Sequence, residues 1–227
     1  MKRTLVALLL VFLYAGLARA DFLVSFPSAL NAWQIGSTGV VTGYEFTPSV
    51  DVLVSSLGWN DLNNTDPNGG PDGFQAPHQV GIYRSSDQAL LASVTLPAGT
   101  AAPLSDGSFR YGGIAPLLLT AGTTYVLAGT TNGWVNGTSV LEPTQTRILG
   151  TSAFINPLFT TGSQLIGLSS NPTGLEFPSF VLAGGSNVIA FGGNLQFGVV
   201  PEPSSYCLMG LGVAGALTLV ATRLRRA

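Results

Sequence analysis

The feature that most constrains this chain is a succession of short segments rich in β-branched and aromatic residues, each bounded by Gly, Pro, Asn or Asp. Alternation of apolar and polar positions, as at Val50, Val52 and Val54, is typical of strands buried on one face. The candidate strands are residues 22–26, 39–47, 50–59, 78–84, 89–96, 107–115, 123–131, 175–183 and 188–199. This pattern predicts an all-β fold, an antiparallel β-sandwich of jelly-roll type, over residues 21–199.

The charges of the chain are distributed unevenly. Residues 21–200 hold ten acidic side chains but only three basic ones, Arg84, Arg110 and Arg147, so this body carries a net charge of −7. Binding to nucleic acid requires cations that neutralise phosphate, and docking on anionic lipid requires a basic patch. The composition therefore argues against a nucleic-acid partner.

The chain has a single cysteine, Cys207, which follows the body in the sequence. The body can therefore form neither an internal disulfide nor a thiolate metal site. We expect its stability to come from a packed core.

Residues 1–20 have the three parts of a secretion signal. Lys2 and Arg3 supply positive charge, residues 5–17 are apolar, and Ala18 and Ala20 place small residues where signal peptidase reads the chain. We expect a signal helix that is cut after Ala20, so that Asp21 becomes the new N-terminus. The alternative is an uncleaved anchor, although thirteen apolar residues are short for a membrane span of about 20.

Residues 200–227 also have three parts. Pro201, Glu202 and Pro203 come first and favour extended chain, and an apolar run follows from Tyr206 to Ala221. As a helix this run is about 24 Å long and can just span a hydrocarbon core of about 30 Å. The basic residues that would stop transfer and stay in the cytoplasm are Arg223, Arg225 and Arg226. We predict a single C-terminal transmembrane helix here; a plain anchor is the alternative to a sorting signal.

Pro-Glu-Pro, an apolar run and a terminal arginine cluster together resemble the PEP-CTERM sorting signal of Gram-negative bacteria. The resemblance covers residues 200–227. It implies that an exosortase, an inner-membrane enzyme, recognises the tail and cleaves near the motif. It also implies a chain that passes through the inner membrane and ends at the cell surface or outside the cell, in hosts that make exopolysaccharide.

The central part of the body resembles a β-sandwich domain of unknown function from secreted bacterial proteins. The resemblance covers roughly residues 40–135. Its elements are Asp72-Gly73, His78-x-Val80-Gly81, Leu90-Leu91-Ala92, Phe109-Arg110-Tyr111 and Ala121-Gly122-Thr123-x-Tyr125. It implies a fold and a context of extracellular matrix, and no activity. Residues 136–187 either complete the sandwich or form long loops over one edge.

The segment from Asn60 to Gly73 is a candidate calcium loop. It contains Asp61, Asn63, Asp66 and Asp72, and hard oxygen ligands on a loop suit Ca²⁺. The segment lacks the glycine and glutamate of an EF-hand. The alternative is a solvated turn, because Asn, Asp, Gly and Pro are the residues that turns use. We otherwise expect no cofactor.

A hydrolase would need residues that this sequence supplies sparsely. His78 is the only histidine, and as a general base it would need a partner such as Asp72 or Asp87. We expect a structural role for it. The carboxylates that could form a glycosidase pair are Asp51, Asp87, Asp106, Glu142 and Glu176. Nothing in their spacing selects two of them.

Two tryptophans are candidate contacts for carbohydrate, since an indole face packs on the apolar face of a sugar. Trp134 lies in a polar turn region, and Trp59 is the second candidate. The alternative for both is packing in the core.

These features predict an exported surface or matrix protein that is not an enzyme, with exopolysaccharide as its candidate ligand. Two alternatives stay open. One is a secreted carbohydrate-active hydrolase on a jelly-roll scaffold, and the other is a structural spacer unit. Signal peptidase and exosortase are the expected processing partners.

Overall fold

The computed structural model describes residues 21–25, 32–33, 40–61, 72–105, 108–135, 138–141, 144–148, 154–168, 174–181 and 188–200. Within these residues the chain forms antiparallel β-strands and no helix, so the prediction of an all-β fold is confirmed. None of the described segments is a helix that could cross a membrane. The predicted signal helix and C-terminal helix lie outside the described residues, and the jelly-roll connectivity stays a prediction.

Two sheets make up most of the described body. The first has the order β1-β18-β5-β9-β8 and the second the order β16-β15-β4-β10-β6-β7. The strands of the first sheet are β1 (Asp21–Phe22), β5 (Val52–Asn60), β8 (Leu104–Ser105), β9 (Phe109–Leu119) and β18 (Gly193–Val199). The strands of the second are β4 (Val40–Pro48), β6 (His78–Arg84), β7 (Leu90–Leu96), β10 (Tyr125–Thr130), β15 (Phe159–Leu168) and β16 (Phe180–Val181).

Three smaller pairings accompany the two sheets. They involve β2 (Val24–Ser25) with β14 (Phe154–Ile155), β11 (Asn132–Val135) with β12 (Thr138–Leu141), and β13 (Thr144–Ile148) with both β3 (Ala32–Trp33) and β17 (Val188–Phe191). Residues 136–187, left open in the sequence, therefore complete the second sheet in part, because β15 pairs along β4.

The two sheets share one hydrophobic core. Val52, Val54 and Phe197 contribute to it from the first sheet, and Phe46 and Ile82 from the second. Each of these side chains is at most 1% exposed. Alternation along the strands puts these residues on the inner faces, so burial of apolar surface holds the two layers together.

A tyrosine hydroxyl adds a polar link between the layers. Tyr44 is fully buried on β4, and its hydroxyl donates a hydrogen bond of 3.0 Å to the carbonyl oxygen of Gly193 on β18. Burial raises the pKa of Tyr44 well above its ordinary value, so the phenol stays protonated and remains a donor.

A second, smaller cluster covers the outer face of the second sheet. Val126, Ala128 and Leu165 are buried there beneath Leu175 and Phe177, which lie in the irregular segment 174–178. This segment was predicted as part of a strand over 175–183, but only Phe180–Val181 pairs with β15. Pro178 explains part of the difference, since proline cannot donate to a strand ladder.

Trp59 fills the space between the sheets at the end of β5. Its ring lies against Gly129 on β10 and against Gly192, which precedes β18. A Cβ atom at either glycine would overlap the indole ring, so both positions need a residue without a side chain. The side chain is fully buried, which makes Trp59 one of the largest residues in the core.

The contact between Trp59 and Gly129 predicts a steep cost for added volume. Gly129→Ala should lower the free energy of unfolding by about 1–3 kcal/mol, because the methyl group would force the indole or the backbone to move. The matched control is Gly113→Ala on β9, where a Cβ meets nothing within 4 Å, and it should stay within about 0.5 kcal/mol of the parent. Denaturant titration of the purified variants measures both changes. Equal losses would contradict this account of Trp59.

Candidate functional site

The structure places Trp59 where no surface ligand can reach it. The residue is 0% exposed, and the indole stacks on the imidazole ring of His78 with centroids 5.7 Å apart and an angle of 19° between the rings. The prediction that Trp59 contacts carbohydrate is therefore wrong for this structure, and the alternative of core packing describes it. The position of Trp59 in the sequence does not reveal that its side chain points into the space between the two sheets.

His78 belongs to the same buried group. Its side chain is 0% exposed, its Nδ1 atom lies 2.7 Å from the carbonyl oxygen of Thr130, and the ring of Phe74 meets it edge-on at 4.8 Å. A carbonyl oxygen only accepts, so Nδ1 carries the proton and donates it. This geometry supports a structural hydrogen bond between β6 and β10.

Asp61 is held by a buried ion pair. Its carboxylate oxygen Oδ2 lies 2.5 Å from Nε of Arg110 on β9, and both side chains are at most 7% exposed. The backbone N–H of Gly73 donates to both carboxylate oxygens, at 3.1 and 3.2 Å. Gly73 has a φ of +100°, which favours glycine at this approach.

Arg110 also fixes the neighbouring chain. Its Nη1 group donates hydrogen bonds to the carbonyl oxygens of Thr100 and Ala102, at 3.2 and 2.9 Å. Desolvation raises the pKa of the Asp61 carboxyl above its ordinary value, while the hydrogen bond and charge of Arg110 act in the opposite direction. Asp61 is therefore already neutralised by a guanidinium group 49 residues away in sequence.

These contacts bear on the candidate calcium loop. Asp61 would have to leave Arg110 to bind a cation, and Asp72 is exposed. Asn63 and Asp66 lie outside the described residues. In the part of the chain that the structure describes, no three His, Cys, Asp or Glu side chains form a group that could hold a metal ion. Calcium binding stays a prediction.

The structure separates the candidate catalytic carboxylates into different local roles. Asp51 accepts a hydrogen bond of 2.8 Å from the N–H of Ala121. Asp87 forms an exposed ion pair with Arg84 at 3.2 Å, in the turn after β6. Glu176 lies in the segment that covers the second sheet, and Asp106 and Glu142 lie outside the described residues.

Trp134 lies on β11, where it pairs with Ser139 of β12. The two strands are joined through Asn136-Gly137, a dipeptide typical of hairpin turns. The structure describes the backbone of this pair and not the surroundings of the indole. Its contact with carbohydrate stays a prediction.

Both ends of the body emerge from one end of the sandwich. The first described residue, Asp21, pairs with Phe197 near the end of β18. The N–H of Val200 donates a hydrogen bond of 3.1 Å to the carbonyl oxygen of Asp51. We call this end, formed by Asp21, residues 49–53, residues 118–122 and residues 197–200, the exit end. The residues predicted for signal cleavage and sorting precede Asp21 or follow Val200 in the sequence: Ala18, Ala20, Pro201, Glu202, Pro203, Arg223, Arg225 and Arg226. They lie outside the described residues.

The buried ion pair predicts a large difference between two arginines. Arg110→Ala should lower the free energy of unfolding by about 3–5 kcal/mol, because it leaves the Asp61 carboxylate buried without its partner. Arg84→Ala is the matched control. It breaks the exposed pair with Asp87, whose side chains are 45% and 51% exposed, and should cost at most about 1 kcal/mol. Denaturant titration compares the free energies of unfolding of the two variants. Similar losses would show that the buried pair contributes no more to stability than the exposed pair.

Comparison with known proteins identifies the tail. The family model described as the PEP-CTERM protein-sorting motif matches residues 199–226. The match includes the Pro-Glu-Pro residues and the arginine cluster, so the resemblance predicted from the sequence is confirmed. It begins at Val199, the last residue of β18. No curated protein matches the sequence significantly.

The folded body is thus followed directly in the sequence by a recognised sorting motif. The all-β fold agrees with the resemblance of residues 40–135 to a secreted sandwich domain, and that finer assignment stays a prediction. The chain carries a PEP-CTERM protein-sorting motif, which indicates an exported surface protein that exosortase processes.

Proposed function

We propose that this protein is a non-catalytic component of the cell surface or extracellular matrix that binds exopolysaccharide through its β-sandwich. The observation that carries the proposal is the junction at Val199, where an ordered all-β body passes directly into a sorting motif. Such a chain presents one folded module to the outside. Its tail serves delivery.

The proposed route has two processing steps. Signal peptidase cuts after Ala20, and the C-terminal apolar run holds the chain in the inner membrane until exosortase acts on it. The first step is supported by the sequence of residues 1–20, in which an apolar run is followed by small residues at Ala18 and Ala20. The chain is then attached at the surface or released.

A role other than catalysis is supported by the state of the polar side chains. His78 is buried against Trp59 and bonded to Thr130, and Asp61 is paired with Arg110. These groups stabilise the fold where they stand. A general base, in contrast, needs to reach the proton of a substrate.

Exopolysaccharide as ligand is supported by the sequence around Trp134. An indole on a hairpin of polar residues suits stacking against sugar rings, and the hairpin pairing of β11 with β12 agrees with that placement. The excess of acidic side chains in the body favours a neutral or metal-bridged glycan over a strongly anionic one.

Processing of the tail is tested by mass spectrometry of the C-terminal peptide of the protein from its native host. We expect a terminus within residues 200–205, with the arginine cluster removed, and any added mass identifies the attached group. Replacing Pro201, Glu202 and Pro203 by alanine should leave the chain uncut. Replacing Ser204 and Ser205 by alanine is the matched control and should not. An intact Ala227 in the parent protein would overturn processing.

Glycan binding is tested by retention on a gel that contains the exopolysaccharide of the host. Trp134→Ala should abolish retardation, since a stacked ring contributes roughly 1–3 kcal/mol. Trp134→Phe keeps an aromatic face and should retain most of it. No retardation of the parent protein would favour a structural spacer. Breakdown of the glycan, lost in His78→Ala, would favour the hydrolase.

A further inference from the structure

The Pro-Glu-Pro residues of the sorting motif come directly after the last described residue of the body. Val200 is the final described residue, and its N–H donates to the carbonyl oxygen of Asp51 at 3.1 Å. Pro201, the first residue of the Pro-Glu-Pro motif, follows directly. The sandwich and the motif are therefore joined with no intervening residue.

This junction limits how far the sandwich can lie from anything that acts on the tail. Five residues, 201–205, separate Val200 from Tyr206, where the apolar run begins. A fully extended chain advances at most about 3.6 Å per residue, so the six steps from Val200 to Tyr206 span at most about 22 Å. An enzyme that cuts within this stretch has its reacting atoms inside that distance.

Contact with the enzyme follows from its size. A domain of 100 residues has a radius of gyration of about 13 Å, and its surface extends further than that. An enzyme of that size, acting on a bond close to Val200, would bring its own surface near the exit end of the sandwich.

The exit end presents exposed apolar side chains at the required place. Leu53 and Leu118 are cross-strand partners on the outer face of the first sheet, and they are 41% and 52% exposed. Val199 is 47% exposed at the end of β18, but it pairs with the buried Val52 and therefore belongs to the other face of the sheet. Gly198 pairs with Leu53 and leaves open space above the sheet. We call Leu53 and Leu118 the exit patch.

Pairing of the chain ends strengthens this placement. Asp21 lies opposite Phe197 on the neighbouring strand, so the segment that carries the signal peptide and the segment that carries the sorting tail leave the sandwich at the same end. Both precursor segments are apolar and act at a membrane. The exit end therefore faces that membrane and whatever enzyme resides in it.

We propose that the exit patch is a docking surface for the membrane-embedded sorting enzyme that processes the tail, an inference that rests on the proposed function. A protein surface fits better than lipid headgroups. Asp51 lies two residues before Leu53 in the sequence, so a carboxylate flanks the patch. Anionic lipid attracts lysine and arginine, whereas an enzyme can meet leucine with its own apolar side chains.

The proposal is tested with the full chain expressed in its host, by following the conversion of precursor to processed protein after a pulse of labelling. The double variant Leu53→Asp/Leu118→Asp should be processed roughly tenfold more slowly, because it places charges in the apolar contact. Leu104→Asp is the matched control. Leu104 lies on β8 in the same sheet, is 43% exposed and stands at the opposite end, opposite Arg110, so its variant should be processed like the parent.

The outcomes separate this proposal from the proposed function. A parent chain that is never processed would overturn the proposed function. If the parent and the double variant are processed at equal rates, docking at the exit patch is overturned and the proposed function stays intact. Equal slowing by Leu104→Asp would also overturn it. Leu53→Ser/Leu118→Ser removes the apolar groups without adding charge, and should be slowed in a chain whose melting temperature is unchanged.

Discussion

The packing of the Trp59 indole between the two sheets is the contact on which most of the described structure depends. Its ring lies against the backbones of Gly129 on β10 and of Gly192, which precedes β18, and stacks on His78, which is hydrogen bonded to β10. Two residues after Trp59 in the chain, the carboxylate of Asp61 forms an ion pair with the guanidinium group of Arg110. A large rigid ring at the centre of this end sets the spacing of the layers, and the buried polar pairs are arranged around it.

The two ends of the sandwich consequently differ in character. The end near Trp59 holds the buried hydrogen bond of His78 to Thr130 and the buried ion pair of Asp61 with Arg110, which stabilise the fold. The exit end carries exposed leucine and valine and receives both ends of the described body. The groups that stabilise the fold and the proposed contact with the processing enzyme thus lie at opposite ends of one domain.

Much of the architecture could be predicted from local patterns. Val50 to Asn60 and His78 to Arg84 alternate clearly, and both became strands close to their predicted bounds. β15 was missed because a bulge between Thr161 and Gln164 shifts its pairing with β4 and interrupts the alternation. The partner of Asp61 is 49 residues distant, so a local reading assigned the carboxylate to a metal loop. The sorting tail was recognised because all its determinants are contiguous in sequence.

The position of β18 in the first sheet has a consequence for the timing of export. β18 is the last strand of the body, yet it lies between β1 and β5, so this sheet stays incomplete until residue 199 has crossed the membrane. Closing the loop between strands so distant in sequence is slow, because the chain loses entropy before the contacts form. A tail retained in the membrane at that moment would keep the unfolded chain away from other copies while it folds. The sorting tail would then also act as a tether that protects a slow-folding β-protein from aggregation.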